Sequence, residues 1–529
     1  MKAFIQQHAT ALIIIGIIAA GIAAYANALP NEMFFDDSQG ITDNAYIKDW
    51  KYLPNLFSES LTSGSGFVSS YWRPLLLIIY SAEWHLWGNS PVGFHAVNIF
   101  FHLASATLVF FLLRRLFQKI GPAAIAALLF AIHPVQTEAV TYVSGLGDPL
   151  SLFLMLLGTY GFVALRSKWK YAAILALFVL ALMTKERSVV FPGMLLLADL
   201  FMWRTRDFSL VPFWQFVKQS ALRITPFALL SGVYLYLRHT VLLNISEGTP
   251  NMPLEYLASA ATRALTFLSV LPDYFSFIFA PIGLHMERSF GIEIPTSFFE
   301  PMVLLGTVIT LALGGLGIWA WKKHPAYTFG VLWFFIMMFP VSGILSPVAG
   351  ILYEHYLYAP IIGIAFIIGL GAYWLYEKIP SRRGRIALLG AGAVLAILLI
   401  VQTASQNTYW KDGITFYTET LRYVPQSSKM LNNLGMEYAA AGNFIQAEEA
   451  YRSAIHFSPS SPIPLHNLGN LYYETGQLEK AVALYRAAIQ VSPKSVLPYM
   501  ALHRLYRESG ETEKAEQVLR DLRLLNGTN

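Results

Sequence analysis

Two adjacent carboxylates, Asp36 and Asp37, follow directly on Phe34 and Phe35 just past a long apolar run. Like charges side by side resist double ionisation, which raises one pKa and makes the pair a candidate base at a membrane edge. A solvated loop pair would need no function, so its meaning depends on what gathers around it. Trp72-Arg73-Pro74-Leu75 lies in the same loop, and His95, Asn98 and His102 share one face of the next apolar run. The third run ends in His133-Pro134-Val135-Gln136-Thr137-Glu138-Ala139-Val140, with Gly147-Asp148 shortly after. Thr184-Lys185-Glu186-Arg187 and Tyr353-Glu354-His355-Tyr356-Leu357-Tyr358 flank later runs. Ionisable groups at the ends of apolar runs are costly and mark functional cavities. The plainer reading is a structural set of neutralised pairs, Lys185 with Glu186 for instance. His133, Glu138 and Asp148 also offer metal-ligand types, although a neutral imidazole beside Pro at a helix end more often serves as a hydrogen-bonded core residue.

The elements that must position these residues are membrane helices. Of 529 residues, 55% are hydrophobic and 13% charged, which water cannot solvate over most of the length. The 12 Trp and 28 Tyr fit interfacial belts. With no cysteine, disulfides, thiolate metal sites and thiol nucleophiles are excluded. The net charge of +5 says little about nucleic acid, because the basic residues lie mostly in short loops. Eleven apolar runs are spaced along the chain, near 9–28, 91–113, 121–135, 149–165, 170–184, 188–203, 223–241, 301–321, 327–345, 356–376 and 386–404. The first lacks the basic start and the cleavage site of a signal peptide, so it is expected to stay as a span. The basic groups Arg114/Arg115/Lys119, Arg166/Lys168/Lys170, Arg204/Arg206, Lys322/Lys323 and Lys378/Arg382/Arg383/Arg385 fall on one side if the N-terminus is cytoplasmic. That orientation puts the acids and cations above, and everything past Thr403, on the external side. Residues 254–284 would upset the count as a crossing and are expected to form a re-entrant or surface helix bent at Pro272.

Past Asn407 a period of 34 residues appears: Asn433-Leu434-Gly435 recurs as Asn467-Leu468-Gly469, and Gly442 recurs as Gly476 and Gly510. This is the tetratricopeptide (TPR) pattern of paired helices, about three repeats long, stacking into an α-solenoid that offers a groove to peptides or serves as a spacer.

Asp36-Asp37, Arg73-Pro74, the block from His133 to Val140, Lys185-Glu186 and Tyr356-Leu357-Tyr358, all ahead of terminal repeats, resemble the transmembrane and tetratricopeptide-repeat-containing O-mannosyltransferases. The resemblance runs over nearly the whole chain and is most specific at 133–148. Two departures stand out: Glu354-His355 precedes Tyr-Leu-Tyr where the family commonly has Glu-Arg, and the eukaryotic members carry more repeats.

The resemblance implies an all-α polytopic membrane protein, with a GT-C-type core of about eleven spans in 1–406, a long external first loop at 30–90, and an external TPR domain in 411–529. It also implies a polyprenyl-phosphate sugar as donor and a protein as acceptor. The short basic loops and the absence of cysteine point to a bacterial inner membrane with the TPR domain in the periplasm (or to the endoplasmic reticulum membrane if the source is a eukaryote). A sugar joined through one phosphate to an isoprenoid must react where headgroups meet water. An acceptor hydroxyl then needs a base, typically worth ~10²–10⁴ in rate. Asp36 is the expected base, with Asp37 or Glu138 orienting the acceptor. The departing phosphate needs fixed cations. Lys185 and Arg73 come first, then Arg187, Arg238, Arg288 and, at the Glu-Arg position, His355. His133, Asp148, Glu186, Glu354, Tyr356 and Tyr358 are expected to line the sugar and acceptor pocket. One bridging phosphate can be neutralised by protein cations, so no metal or other cofactor is expected. Two competing readings are a transferase acting on a lipid or cell-wall glycan, and a non-enzymatic membrane-anchored TPR scaffold.

Overall fold

The computed structural model describes residues 2–205, 212–243, 254–348 and 350–525; Arg206 lies outside them. All regular structure among the described residues is helical. The chain divides into two compact units, Met1–Lys411 and Asp412–Asn529.

In the first unit each of the eleven apolar runs forms a helix. Among the described residues seven helices are long and apolar enough to cross a membrane, and the pair Ile120–Ile132 and Pro134–Val140, bent by 53°, makes an eighth if taken as one span. The remaining runs form the shorter helices Lys170–Leu182, Phe191–Thr205 and Pro325–Met338. Thirteen residues of helix reach ~20 Å, short of the ~30 Å of hydrocarbon. Lys170–Leu182 therefore stops early, and the polar stretch Thr184–Arg187 follows close behind it. The bend of the split pair has a local cause. Residues before Pro avoid the helical region, and His133 is extended (φ −76°, ψ 130°) while Pro134 opens a new short helix.

Two stretches differ from expectation. The segment expected to bend at Pro272 contains one continuous helix, Ala260–Phe279, capped by Ser259, whose hydroxyl accepts from the Thr262 N–H. It crosses the helix Pro301–Lys323 at Gly306, where a side chain would run into the Leu268 carbonyl. The first loop is not merely a loop. It folds into several short helical turns and the 14-residue helix Pro74–Trp87, which starts on Pro and buries Leu76, Leu77, Tyr80 and Glu83 along one face.

Asn407, fully buried near the end of the helix Arg382–Tyr409, ties the entry to this loop. Its side-chain amide donates to the Ala24 carbonyl (2.8 Å) and to Asn27 Oδ1 (2.8 Å). Its oxygen accepts from Thr141 Oγ1 (2.7 Å), and its backbone carbonyl accepts from Asn31 Nδ2 (3.0 Å). One residue thus binds the first helix, the last helix and the turn that follows the bent pair.

The second unit stacks helix pairs in register with the 34-residue period: Ser428–Ala440 with Phe444–Phe457, Pro462–Glu474 with Leu478–Val491, and Val496–Glu508 with Thr512–Leu525. Gly435 and Gly469 leave room for the rings of Tyr451 and Tyr485. Gly442, Gly476 and Gly510 take the left-handed conformation (φ 76°, 76° and 77°) that turns the chain between the helices of a pair.

Candidate active site

The two neighbouring carboxylates have opposite environments. Phe35 adopts a left-handed backbone (φ 59°), unusual for a side chain of this size, and behind it Asp36 is exposed while Asp37 is 1% exposed. Asp37 Oδ1 accepts from the Ser144 N–H (2.8 Å) and from the Ser144 hydroxyl. Burial pushes its carboxyl up to about 7, with the Ser144 bonds opposing and the Asp36 charge adding to the rise. Asp37 is therefore a latch onto the turn Val143–Leu146. The Asp36 backbone N–H donates to the Tyr142 hydroxyl oxygen (3.0 Å), and Tyr142 in turn packs against Trp410, with ring centres 5.3 Å apart.

The cations expected from the sequence do converge, in partnerships that local order does not suggest. Lys185 pairs not with Glu186 but with Asp148 (2.5 Å), which Arg187 approaches from its other oxygen at 3.5 Å. Glu186 instead receives a two-pronged bond from Arg73, Nε to Oε2 at 3.0 Å and Nη2 to Oε1 at 2.8 Å. Burial would raise Glu186, yet this guanidinium holds it well below the usual carboxylate range. Lys185 is pulled down to about 8 by burial, Asp148 opposing and the cations Arg187 and Arg73 reinforcing. The Arg73 guanidinium also lies 4.4 Å from the Tyr71 ring centre. Burial raises the Tyr71 hydroxyl, and the charges of Arg73, Glu186, Asp36 and Arg187 all act on it.

A second group adjoins the first. Glu138, buried, accepts from the His355 backbone N–H (2.9 Å) and pairs with His355 Nδ1 (2.6 Å). Burial lowers the His355 pKa against the pull of Glu138. His355, expected as a phosphate ligand, is thus tied to Glu138, which orients the histidine with both its oxygens. Arg187 donates to the His355 carbonyl (3.4 Å) and covers the Tyr356 ring at 4.2 Å. Glu354 accepts from Arg288 Nε (3.0 Å) and from the His285 N–H (2.6 Å). Burial lifts its carboxyl to about 8 against the Arg288 charge.

Two expected pocket residues are turned into the core. His133 Nε2 meets the Ile278 carbonyl (2.9 Å) while Nδ1 accepts from the Val135 N–H (3.3 Å), which leaves neither nitrogen for a sugar or a metal. Tyr358 is 2% exposed and bonds His102 Nδ1 (2.9 Å), whose Nε2 is on the Ala131 carbonyl (3.1 Å). Tyr356 is also buried, its hydroxyl on the Gly350 carbonyl (3.1 Å). No group of three His, Cys, Asp or Glu among the described residues is placed to hold a metal ion. Arg238 approaches the Ser70 carbonyl (3.5 Å) and acts on Glu186 from the helix Phe213–Leu243. Sequence reasoning missed Tyr71, Tyr142, Ser144 and Asn407, which carry no charge; only the proximity of Tyr71 to Arg73, and of Tyr142 and Ser144 to the 133–148 block, hinted at them.

Over the second unit, residues 428–461 match the tetratricopeptide repeat and 469–510 the TPR repeat. Over 83% of its length the chain is 24% identical to the protein O-mannosyl-transferase F38B6.6 of Caenorhabditis elegans, covering 62% of that protein. It is 25% identical to TMTC3 of Mus musculus and 26% identical to TMTC4 of Homo sapiens, each over 83% of its own length and over 50% and 65% of theirs. The chain is thus similar in sequence to the TMTC-type protein O-mannosyl-transferases. It spans half to two thirds of the length of these TMTC-type relatives. Among solved structures, ArnT from Cupriavidus metallidurans bound to undecaprenyl phosphate matches at a TM-score of 0.41 and 13% identity, covering 91% of this chain and 78% of that one.

Proposed function

We propose that this chain is a glycosyltransferase that moves a hexose, mannose by its kinship, from a polyprenyl-phosphate sugar to Ser or Thr of a protein, with inversion. The observation that supports it most is the unequal pair: Asp37 is buried against Ser144, while Asp36 is exposed in the same loop that carries Arg73 to the cation cluster. In this reading Asp36 takes the proton from the acceptor hydroxyl as its oxygen bonds to the anomeric carbon. The bond from that carbon to the phosphate oxygen breaks, and polyprenyl phosphate leaves carrying one further negative charge. Arg73, Lys185 and Arg187 face two carboxylates, Asp148 and Glu186, so the cluster keeps a surplus positive charge for the departing phosphate. Arg238 adds to that surplus.

Protein cations suffice for one bridging phosphate, so transfer is expected to survive chelation of divalent metal. The TPR unit, placed outside the membrane with the active face, presents the acceptor; a bacterial inner membrane with a cytoplasmic N-terminus fits the basic loops. The test is Asp36→Asn in the purified protein, supplied with polyprenyl-phosphate mannose and a periplasmic protein extract. Transfer is expected to fall by roughly 10²-fold or more while donor binding persists. Undiminished transfer removes Asp36 as the base, and modification of lipid in place of protein redirects the acceptor.

A further inference from the structure

The long helix Phe213–Leu243 carries two polar groups with hydrogen-bonding atoms that the ion-pair cluster leaves unmet. Tyr234 is 5% exposed, yet its hydroxyl is buried without a hydrogen-bond partner. One turn further on, the Nε–H of Arg238 is also buried without a partner. Spaced four residues apart, the two side chains lie on one face of the helix. That face meets the first loop and the cation cluster. The Tyr234 ring packs against Trp72 with centres 6.1 Å apart, Arg238 Nη2 reaches the Ser70 carbonyl at 3.5 Å, and Glu186 and Arg73 act on Tyr234 electrostatically. Among the described residues no carboxylate lies within ion-pair distance of Arg238. Buried donors left unmade are costly and rare, so two adjacent ones aimed at the edge of a charged cluster call for an acceptor from outside the chain. Both can donate, and one is cationic, which suits an anion with several oxygens. The other faces of the helix are exposed and apolar, including Leu229, Val233, Leu235 and Leu237.

We infer that Tyr234 and Arg238 form a receiving subsite for the phosphate of a lipid-borne monophosphate, whose hydrocarbon chain lies along the apolar side of this helix. It stands beside the Arg73–Glu186 pair, and the phosphate is held there before and after the transfer step. The inference rests on the reading of the chain as a polyprenyl-phosphate-dependent enzyme. It names Tyr234 as a positioning residue that contacts the phosphate without touching the reacting carbon.

The test uses the full chain in nanodiscs, titrated with a long-chain polyprenyl monophosphate and followed by Trp fluorescence. The parallel arms are inorganic phosphate and the polyprenol without phosphate. Tyr234→Phe, which removes one oxygen, and Arg238→Gln are each expected to weaken lipid-phosphate binding about tenfold, as expected for a hydrogen bond to a charged group. Arg238→Lys is expected to recover part of the loss. Asp36→Asn is expected to bind as the unaltered chain does, which separates this site from the transfer chemistry. If no sugar transfer is ever observed, the binding loss still reads the subsite. Unchanged binding in the folded Tyr234→Phe/Arg238→Gln double variant overturns the inference, as does equal affinity for inorganic phosphate or for polyprenol.

Discussion

At the residue scale, the pair Asp36-Asp37 shows how one turn of backbone divides labour between identical side chains. The left-handed Phe35 leaves one carboxyl at the surface and sends the next against Ser144. The raised Asp37 has a consequence for stability. Its folded pKa of about 7 lies above the ordinary 3.8, so its contribution is fully present below pH ~4 and is lost as pH rises through about 7. Asp37→Asn keeps the acceptor oxygen and removes the buried charge. Thermal unfolding of that variant is expected to lose part of the pH dependence between about 4 and 7, with stability at pH 8 equal to or above that of the parent. Lys185 sets a second pH window. Its ammonium, lowered to about 8, discharges above that pH, so transfer is expected to decline on the alkaline side. Lys185→Arg stays charged throughout, and its rate profile is expected to extend at least one pH unit higher. A decline at the same pH in that variant would assign the alkaline limb to another group.

At the element scale, the site is held by helix ends and the turns between them. Asn407 joins the first helix, the last helix and the turn behind Glu138 through four hydrogen bonds. Asn407→Ala keeps the backbone bond to Asn31 but strands Thr141, Asn27 and the Ala24 carbonyl, and a loss of about 1–3 kcal/mol is expected in thermal or denaturant unfolding. A comparable constraint operates where the helices Pro325–Met338 and Ile361–Lys378 cross. A side chain at Gly330 would come 2.6 Å from the Gly363 carbonyl, so the two backbones approach through small residues. Gly330→Leu is expected to lower the melting temperature and to disturb the Tyr353–Tyr358 segment that leads into the second of these helices. These elements show what the sequence made legible. Apolar runs announce their helices, because a bilayer demands long uninterrupted hydrophobicity. The helix Pro74–Trp87 went unseen because its apolar face is short and lies inside a stretch otherwise read as loop.

At the scale of the whole molecule, two units carry two kinds of periodicity: apolar runs as far as Lys411, and a 34-residue repeat beyond. Removal of 411–529 separates the readings of the acceptor. A protein acceptor predicts loss of protein modification with lipid-phosphate binding retained; a lipid acceptor predicts little change in product. Charge-reversal of the Arg73–Glu186 pair probes the site as a unit. Arg73→Glu is expected to abolish transfer, and restoring opposite charges with Glu186→Arg is expected to recover folding better than activity, because the surplus cation then sits elsewhere.

By itself the sequence determined the class of the molecule, the helices of its eleven apolar runs, its terminal repeats and the roster of charged residues at the ends of those runs. These are properties of spacing and composition, which hydrophobicity and backbone sterics translate directly into helices. Only the tertiary structure decided the partnerships, since Asp37 meets Ser144 across 107 residues, Arg73 meets Glu186 across 113, and His355 meets Glu138 across 217. It also withdrew His133 and Tyr358 into the core and brought Tyr234 to the cluster. Burial and charge compensation are decided by whatever arrives from elsewhere in the chain, so a residue's type states what it can do and its neighbours decide whether it is free to do it.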